Sequence, residues 1–376
     1  MTPTKRIMLV GGGSGGHFYP LMSLAEELRR NEVSDTELYY IGPEPYDETV
    51  LKSHGITFVL CPAGKARRYA SFRNILDICV TFWGCFVALW KLYMLYPDVI
   101  VTKGGYTSVP IILAAAFLRI PIVVHESDTR PGRANKLASA FTSHVAISFE
   151  DARPYFKKNE VLFTGIPIRS ELLNPTEGNV HEILGTDASL PTLLILGGSQ
   201  GAERLNTLML KSLRMLLPYY NIIHQTGKSN FDVSVLSARE LIEDNALLGR
   251  YRPIAFFTDP KILNAAYEAA TLIISRAGTG TIYEIALHGK PSILIPIPET
   301  VSHDQRTNAY AYARSGAAVV LEETNLVDSL LTSEIDRIMK NTALYLEMTK
   351  SALNFAPQNG AQLLAELTLE VARTHT

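Results

Sequence analysis

A glycine-rich segment near the start of the sequence has the composition of an anion-binding loop. Gly11-Gly12-Gly13-Ser14-Gly15-Gly16 follows an apolar stretch and precedes residues with helical spacing, so it is predicted to join a strand to a helix. Backbone N–H groups and the helix dipole converge at such a junction and favour a phosphate. The segment matches both the dinucleotide pattern GxGxxG and the hydrolase pattern GxSxG. A tight structural turn is the third interpretation.

His17 follows this loop directly, at the start of the predicted helix. Imidazole is largely neutral at pH 7, and the helix dipole lowers its pKa further, so His17 could accept a proton as a general base. A capping or solvent-facing histidine is the alternative.

The second half of the sequence repeats this arrangement. The apolar residues 192–196 are followed by Gly197-Gly198-Ser199-Gln200-Gly201 and a predicted helix. Ser199 lies in a second GxSxG pattern with Asp259, His288 and His303 downstream, so a hydrolase is one hypothesis. A hydrolase needs one nucleophile loop, whereas two such loops favour a substrate that carries phosphates. The dinucleotide interpretation is weaker, because only Glu44, beyond a Gly-Pro turn, could bind a ribose after the second strand.

Two further segments place polar groups after predicted strands. His125 and Glu126 end one apolar run, with Asp128 and Asn135 close behind, and such positions line the ligand crevice of parallel sheets. Residues 275–284 run from a strand through small residues into a helix, another anion site. There Glu284 could bind ribose hydroxyls, or it could complete a capping box with Thr281.

The elements that position these groups alternate between strand and helix, which predicts an α/β protein with parallel sheets. A length of 376 residues suggests two domains. We predict an N-terminal domain at 1–164, a turn-rich linker at 165–190 and a C-terminal domain at 191–357. A last helix, about 358–376, could pack on either domain.

Composition narrows the function. A net charge of −2 gives no basic field for nucleic acid, so no nucleic-acid partner is expected. Three irregularly spaced cysteines fit a reducing, cytoplasmic setting. No DxD, HExxH or P-loop pattern occurs, which predicts no metal site.

An apolar segment interrupts this soluble pattern. Residues 78–90 contain no charge, and apolar residues resume after Lys91 up to residue 96. Thirteen helical residues span about 20 Å, short of the roughly 30 Å of a bilayer core. A buried helix and a membrane-surface helix are the alternatives to a spanning one.

Taken together, these segments resemble the GT-B glycosyltransferases of family 28, in order along nearly the whole chain. The matching residues are Gly11 to His17; Lys103-Gly-Gly-Tyr106-x-Ser108-x-Pro110; His125-Glu126-Ser-Asp128 with Asn135; Gly165-x-Pro167-x-Arg169; Gly197 to Ala202; Ser275-Arg276-Ala-Gly278; Glu284; and Asp304-Gln305. Many members have Asn where this chain has Asp128.

The resemblance implies two Rossmann-like, doubly wound parallel-sheet domains facing a central cleft. It also implies inverting, metal-independent transfer of N-acetylglucosamine without a cofactor. The donor is UDP-N-acetylglucosamine, and the acceptor is the muramyl sugar of undecaprenyl-pyrophosphoryl-MurNAc-pentapeptide (lipid I), giving lipid II in peptidoglycan synthesis.

The resemblance further implies the role of each matching residue. His17 or Glu126 is the catalytic base. The substrate-binding residues are Ser14, Gly15, Gly16, Asp128, Asn135, Arg169, Ser199, Gln200, Thr279, Gly280, Thr281, Glu284, Asp304 and Gln305. Of these, Glu284 contacts the ribose, 279–281 the phosphates, and Asp304 with Gln305 the sugar hydroxyls.

A lipid-linked acceptor also accounts for the apolar segment. Lys65, Arg67, Arg68 and Arg73 precede the 78–96 segment, a combination typical of a surface resting on anionic lipid. We therefore expect a peripheral protein on the cytoplasmic side of the cell membrane. The rival functions are another GT-B glycolipid transferase, a Ser199-dependent hydrolase and a non-catalytic sugar-nucleotide-binding protein.

Overall fold

The computed structural model describes residues 4–30, 36–65, 73–198, 202–298 and 303–374, without the side chains of 73–75 and 303. The chain divides into two compact units. Unit 1 comprises Met1–Arg169 and Pro357–Thr376, and unit 2 comprises Ser170–Ala356.

Unit 1 alternates between strands and helices. Its elements are β1 (Lys5–Val10), α1 (Gly15–Arg30), β2 (Thr36–Gly42), α2 (Glu48–Ser53), β3 (Thr57–Leu60), α3 (Arg73–Leu95), β4 (Val99–Thr102), α4 (Val109–Leu118), β5 (Ile122–Glu126), α5 (Arg133–Ser139), β6 (His144–Ile147) and β7 (Glu160–Phe163). The strands form one sheet in the order β3-β2-β1-β4-β5-β6-β7, and every pairing is parallel.

The central strands of this sheet are apolar because helices cover both of its faces. Ile7 and Leu9 belong to one buried cluster, and Met8 and Val10 belong to another. The alternation along β1 therefore assigns successive side chains to opposite cores.

Unit 2 has the same architecture. Its elements are α6 (Val180–Leu184), β8 (Thr192–Leu196), α7 (Glu203–Leu216), β9 (Asn221–Gln225), α8 (Phe231–Leu241), α9 (Asn245–Leu248), β10 (Tyr251–Ile254), α10 (Pro260–Ala269), β11 (Ala270–Ser275), α11 (Thr279–Leu287), β12 (Ser292–Leu294), α12 (His303–Ala313), β13 (Ala318–Val320), α13 (Asp328–Met339) and α14 (Thr342–Phe355). The sheet order is β10-β9-β8-β11-β12-β13, again entirely parallel. The final helix, α15 (Gly360–Thr374), packs on α1 within unit 1.

The predicted α/β class and the two parallel, Rossmann-like sheets are thus confirmed. In each unit the strand order reverses beside the first strand, β1 or β8. Ligands of such sheets bind at the carboxyl ends of the strands near this point.

Helix α3 is long and unusually exposed. It packs against α4, and its buried residues Ala88 and Leu92 join the unit 1 core. Its other side carries exposed apolar residues: Leu76, Ile78, Val80, Phe82, Trp83, Phe86, Trp90, Tyr93 and Met94. By length and composition, Leu76–Leu95 is a candidate membrane span, with 17% of its apolar window buried.

Candidate active site

The predicted residues of unit 1 meet at the carboxyl ends of β1, β4 and β5, which we call the unit 1 edge. These strands are neighbours in the sheet, so the loops that follow them lie side by side. The backbone N–H of Lys103 donates to Val10 O at 2.9 Å, and the Thr107 hydroxyl donates to Gly11 O at 2.6 Å. The glycine loop is therefore held by the turn that follows β4.

Glycine is required where these two loops touch. Gly104 and Gly105 have φ values of +80° and +84°, which favour glycine. A β-carbon on Gly105 would lie 2.8 Å from the Gly12 Cα, and one on Gly12 would lie 2.3 Å from the Nδ1 of His17. The His17 ring is thus enclosed on one side by bare backbone.

The environment of His17 keeps the imidazole neutral. Burial and the nearby Lys103 ammonium lower the pKa of His17 to about 4, and Asp128 acts in the opposite direction. Its Nδ1 is buried and has no hydrogen-bond partner among the described residues. A neutral ring at pH 7 has a lone pair that can accept a proton.

The carboxylate of Glu126 is buried and fully engaged. It accepts hydrogen bonds from the backbone N–H of Asp128 (2.9 Å) and Gly132 (3.1 Å) and from Asn135 Nδ2 (2.8 Å). Burial and the charge of Asp128 raise the pKa of Glu126 to about 7. These contacts fix the turn between β5 and α5, and they favour a positioning role for Glu126 over that of a base.

Lys103 is a buried residue of this edge to which the sequence assigned no role. Its ammonium donates to His125 Nδ1 at 2.8 Å and to the Ser127 hydroxyl oxygen. The signal that could have revealed it is a lysine at the end of an apolar strand, directly before two glycines.

The other predicted residues of unit 1 lie at the start of α1. Ser14 and Gly16 are exposed and Gly15 is half-buried, so the first turn of the helix is accessible. The guanidinium of Arg169 stacks over the Tyr19 ring at 4.7 Å. The aromatic contact that fixes Arg169 was not predicted.

The corresponding unit 2 edge lies at the carboxyl ends of β8, β11 and β12. Ser199 and Gln200 follow β8 but lie outside the described residues. After β11, helix α11 begins at Thr279 with Gly278 as its N-cap, and no side chain caps it. Its first turn, formed by Thr279, Gly280 and Thr281, thus follows a residue that has no side chain with which to cap it.

The capping-box alternative for Glu284 is therefore wrong, because Thr281 lies inside the helix rather than at its N-cap. Glu284 Oε2 instead accepts a 2.7 Å hydrogen bond from the hydroxyl of Tyr267. The Tyr267 ring stacks on His288 with centroids 4.8 Å apart. Glu284 is thus held by side chains from α10 and from the end of α11.

Asp304 and Gln305 occupy the first turn of α12. Gln305 Oε1 accepts from the backbone N–H of Ile297 at 3.3 Å, and Asn308 Nδ2 donates to Thr279 Oγ1 at 3.2 Å. The starts of α11 and α12 are therefore linked, which brings 279–281 close to the helix that carries Asp304 and Gln305.

The hydrolase alternative gains no support from unit 2. Both ring nitrogens of His288 are engaged, Nδ1 with Glu284 O at 2.7 Å and Nε2 with Asn264 Oδ1 at 2.9 Å. The carboxylate of Asp259 caps α10 by accepting from Lys261 N. These two side chains are thus engaged in contacts within unit 2, while Ser199 and the side chain of His303 lie outside the described residues. Among the described residues, no three His, Cys, Asp or Glu side chains form a potential metal site.

Comparisons with known proteins agree with this architecture. Residues 7–147 match the glycosyltransferase family 28 N-terminal domain, and residues 192–364 match the C-terminal domain of that family. A relative from Clostridium botulinum (strain Langeland / NCTC 10281 / Type F) is 33% identical over 97% of this chain and 99% of its own length. It is named UDP-N-acetylglucosamine–N-acetylmuramyl-(pentapeptide) pyrophosphoryl-undecaprenol N-acetylglucosamine transferase. A relative from Bacillus cereus, named as transferase 2 of the same kind, is 33% identical over 91% of this chain and 93% of its own.

Solved structures share the fold. The crystal structure of MurG from Acinetobacter baumannii superposes with a TM-score of 0.77 at 24% identity, covering 97% of this chain and 99% of its own. A UDP-GlcNAc 2-epimerase from Neisseria meningitidis, bound to UDP-GlcNAc, superposes with a TM-score of 0.71 at 14% identity. The match covers 97% of this chain and 100% of the epimerase chain. The two domain matches and the full-length relatives show that this chain belongs to glycosyltransferase family 28.

Proposed function

We infer that this protein transfers N-acetylglucosamine from UDP-N-acetylglucosamine to the muramyl sugar of lipid I, giving lipid II in peptidoglycan synthesis. The observation that carries this inference is 33% identity over 97% of the chain to a transferase named for that reaction. Helix starts suited to phosphate lie at the carboxyl edge of each unit, as a UDP-sugar and a diphosphate-linked acceptor require.

We assign the donor to the unit 2 edge. The N-terminus of α11, which begins directly after Gly278, suits the phosphates of UDP, and the carboxylate of Glu284 suits a pair of ribose hydroxyls. The Tyr267 hydroxyl orients that carboxylate from behind. Asp304 and Gln305 are assigned to the sugar hydroxyls, and Ser199 and Gln200 complete the set.

The acceptor is assigned to the unit 1 edge, with His17 as the base. The acceptor hydroxyl oxygen attacks the anomeric carbon as the bond to UDP breaks, and its proton passes to the imidazole. We assign Nε2 as the ring atom that accepts this proton, because the glycine loop encloses Nδ1. Direct displacement inverts the anomeric centre and forms no covalent enzyme intermediate.

Two groups at the unit 1 edge could bind the diphosphate of the acceptor. Helix α1 begins with Gly15 and Gly16, directly after Ser14, and its N-terminus favours anions, while Arg169 adds a cation held in place by Tyr19. Asp128 and Asn135 belong to the neighbouring turn that Glu126 organises.

The assignment of His17 is tested by His17→Ala. We expect kcat to fall by about 10²- to 10⁴-fold, as is typical when a general base is removed, with unchanged affinity for UDP. Transfer of radiolabelled N-acetylglucosamine gives kcat, and calorimetry gives the UDP affinity. Wild-type kcat in this variant would exclude His17 as the base.

We propose that α3 and α4 also hold the protein on the cytoplasmic face of the cell membrane. Trp83, Phe86 and Phe117 are 63%, 53% and 77% exposed, on two helices that pack together. Such an exposed apolar surface marks an interaction site, and a lipid-linked acceptor makes the bilayer its natural partner.

The burial of α3 favours a helix lying on the membrane over one that crosses it. Gly84, Ala88 and Leu92 are buried against unit 1, so this side of the helix cannot face lipid. Lys65 is exposed near the start of the segment, which suits contact with anionic headgroups. Arg67 and Arg68 lie outside the described residues, as does the side chain of Arg73.

This membrane contact is tested by Trp83→Ser and by sedimentation with phosphatidylglycerol vesicles. An aromatic side chain buries roughly 150–250 Å² at about 25 cal/mol per Å², so losing Trp83 should weaken binding at least about tenfold. The matched control is Tyr219→Ser, which removes a side chain 67% exposed in unit 2. Equal binding of both variants would contradict the proposed surface.

A further inference from the structure

Lys103 is a buried cation that has no role in the transfer mechanism described above. Only 3% of the residue is exposed, and its Nζ donates to His125 Nδ1 at 2.8 Å and to the Ser127 hydroxyl. Burial lowers its pKa to about 8, and the carboxylates of Glu126 and Asp128 oppose that change. At pH 7 the ammonium thus stays charged in a place where an unpaired charge is costly.

The hydrogen bonds of Lys103 join all three strand ends of the unit 1 edge. Its backbone N–H is bound to Val10 O, directly before the first glycine loop. The His125 ring that accepts from its side chain bonds through Nε2 to Gly165 O at 2.9 Å. Its other acceptor, Ser127, directly precedes Asp128.

The charges of this cluster act on His17 in opposite directions. Burial lowers the pKa of His17 most, Lys103, directly after β4, lowers it further, and Asp128, after β5, raises it. The Glu126 carboxylate interacts with both charges: Asp128 raises the pKa of Glu126, and Glu126 raises that of Lys103. The charges of Lys103 and Asp128 therefore adjust the pKa of His17 around the value that burial sets.

We propose that Lys103 is a positioning residue for the transfer reaction: its ammonium fixes the Ser127–Asp128 segment and balances the Asp128 carboxylate beside His17. Lys103 itself is enclosed and does not touch substrate. The proposal rests on the proposed role of His17 as the base.

The direct test is an NMR titration of labelled His17 in four proteins: wild type, Lys103→Gln, Asp128→Asn and the double variant. The glutamine amide is also an N–H donor, so Lys103→Gln removes the charge while retaining a group that can donate a hydrogen bond. We expect the pKa of His17 to rise by roughly one unit in Lys103→Gln, to fall in Asp128→Asn, and to return towards the wild-type value in the double variant. Lys103→Arg, which keeps the charge, should leave it near the wild-type value.

Kinetics supply the second readout. Lys103→Gln should lower kcat about tenfold with little change in the KM for the donor, because the 127–128 segment loses its hydrogen bond from the ammonium. An unchanged pKa of His17 in folded Lys103→Gln would overturn the proposal. If Lys103→Gln does not fold, an unchanged pKa of His17 in Asp128→Asn would overturn the proposal instead. The titration needs no transfer activity, so an inactive wild type would count against the proposed function alone.

Discussion

Replacing Gly12 by alanine is expected to stop transfer by displacing His17. The added β-carbon would lie 2.3 Å from Nδ1 and 2.9 Å from Cε1 of the ring. Non-bonded carbon atoms in contact stay about 3.5–4.0 Å apart, so the ring must move by about 1 Å. The Gly105 backbone packs closely against Gly12, so the glycine loop has little room to move away from the His17 ring.

A shift of about 1 Å in a catalytic group costs about 10²-fold in rate. We therefore expect kcat of Gly12→Ala to fall about 10²-fold, with a loss of about 1–3 kcal/mol in unfolding free energy from overpacking. The affinity for UDP should not change, because the donor is assigned to unit 2. Transfer of labelled N-acetylglucosamine, calorimetry with UDP and thermal unfolding measure the three quantities.

The matched control is Gly132→Ala, at the same edge of unit 1. A β-carbon on Gly132 meets nothing within 4 Å, its φ of −63° suits any residue, and its N–H to Glu126 is kept. This variant should retain kcat within a few-fold. Wild-type kcat in Gly12→Ala, or equal losses in both variants, would refute the reasoning about His17.

Two further predictions concern the donor site and the pH dependence of stability. Glu284→Ala should weaken UDP binding by about 10- to 100-fold, as expected for hydrogen bonds to a charged group, and unchanged affinity by calorimetry would remove Glu284 from the ribose site. Because burial lowers the pKa of His17 to about 4, the unfolded chain binds more protons than the folded one between that value and about 6.5. Stability should therefore fall as the pH is lowered through this window, by at most about 3 kcal/mol from this group, and His17→Gln should lose that contribution. Thermal unfolding of the wild type and of His17→Gln at pH 4.5 and pH 7 tests this prediction. An equal change in stability between the two pH values in both proteins would contradict it.

The sequence predicts the fold and both edges well because strong local signals coincide there. Apolar runs such as 122–124 form strands covered on both faces, and each glycine loop follows the first strand of its sheet. Parallel strands then bring the loops together without further information.

The capping-box interpretation of Glu284 shows where local patterns are insufficient. Thr281 and Glu284 have the correct spacing, but the helix begins two residues earlier, after Gly278. The partner that holds Glu284 is Tyr267, on a different helix. Such a contact depends on tertiary packing, which a local pattern does not contain.

The sequence assigned no role to Lys103 for a similar reason. A lysine after an apolar strand is ordinarily exposed, and its burial here follows from the position of β4 between β1 and β5. The sequence likewise did not determine how exposed α3 is, because an apolar run is compatible with a buried core helix, a membrane-spanning helix or a helix on a membrane surface.

The most direct test of the account is transfer by the purified wild-type protein. It would be incubated with UDP-N-acetylglucosamine labelled in the sugar and with lipid I in phosphatidylglycerol vesicles. The account predicts label in a lipid-linked disaccharide with the inverted anomeric configuration, no such product without lipid I, and loss of product in His17→Ala. Release of free sugar without any lipid-linked product would contradict it.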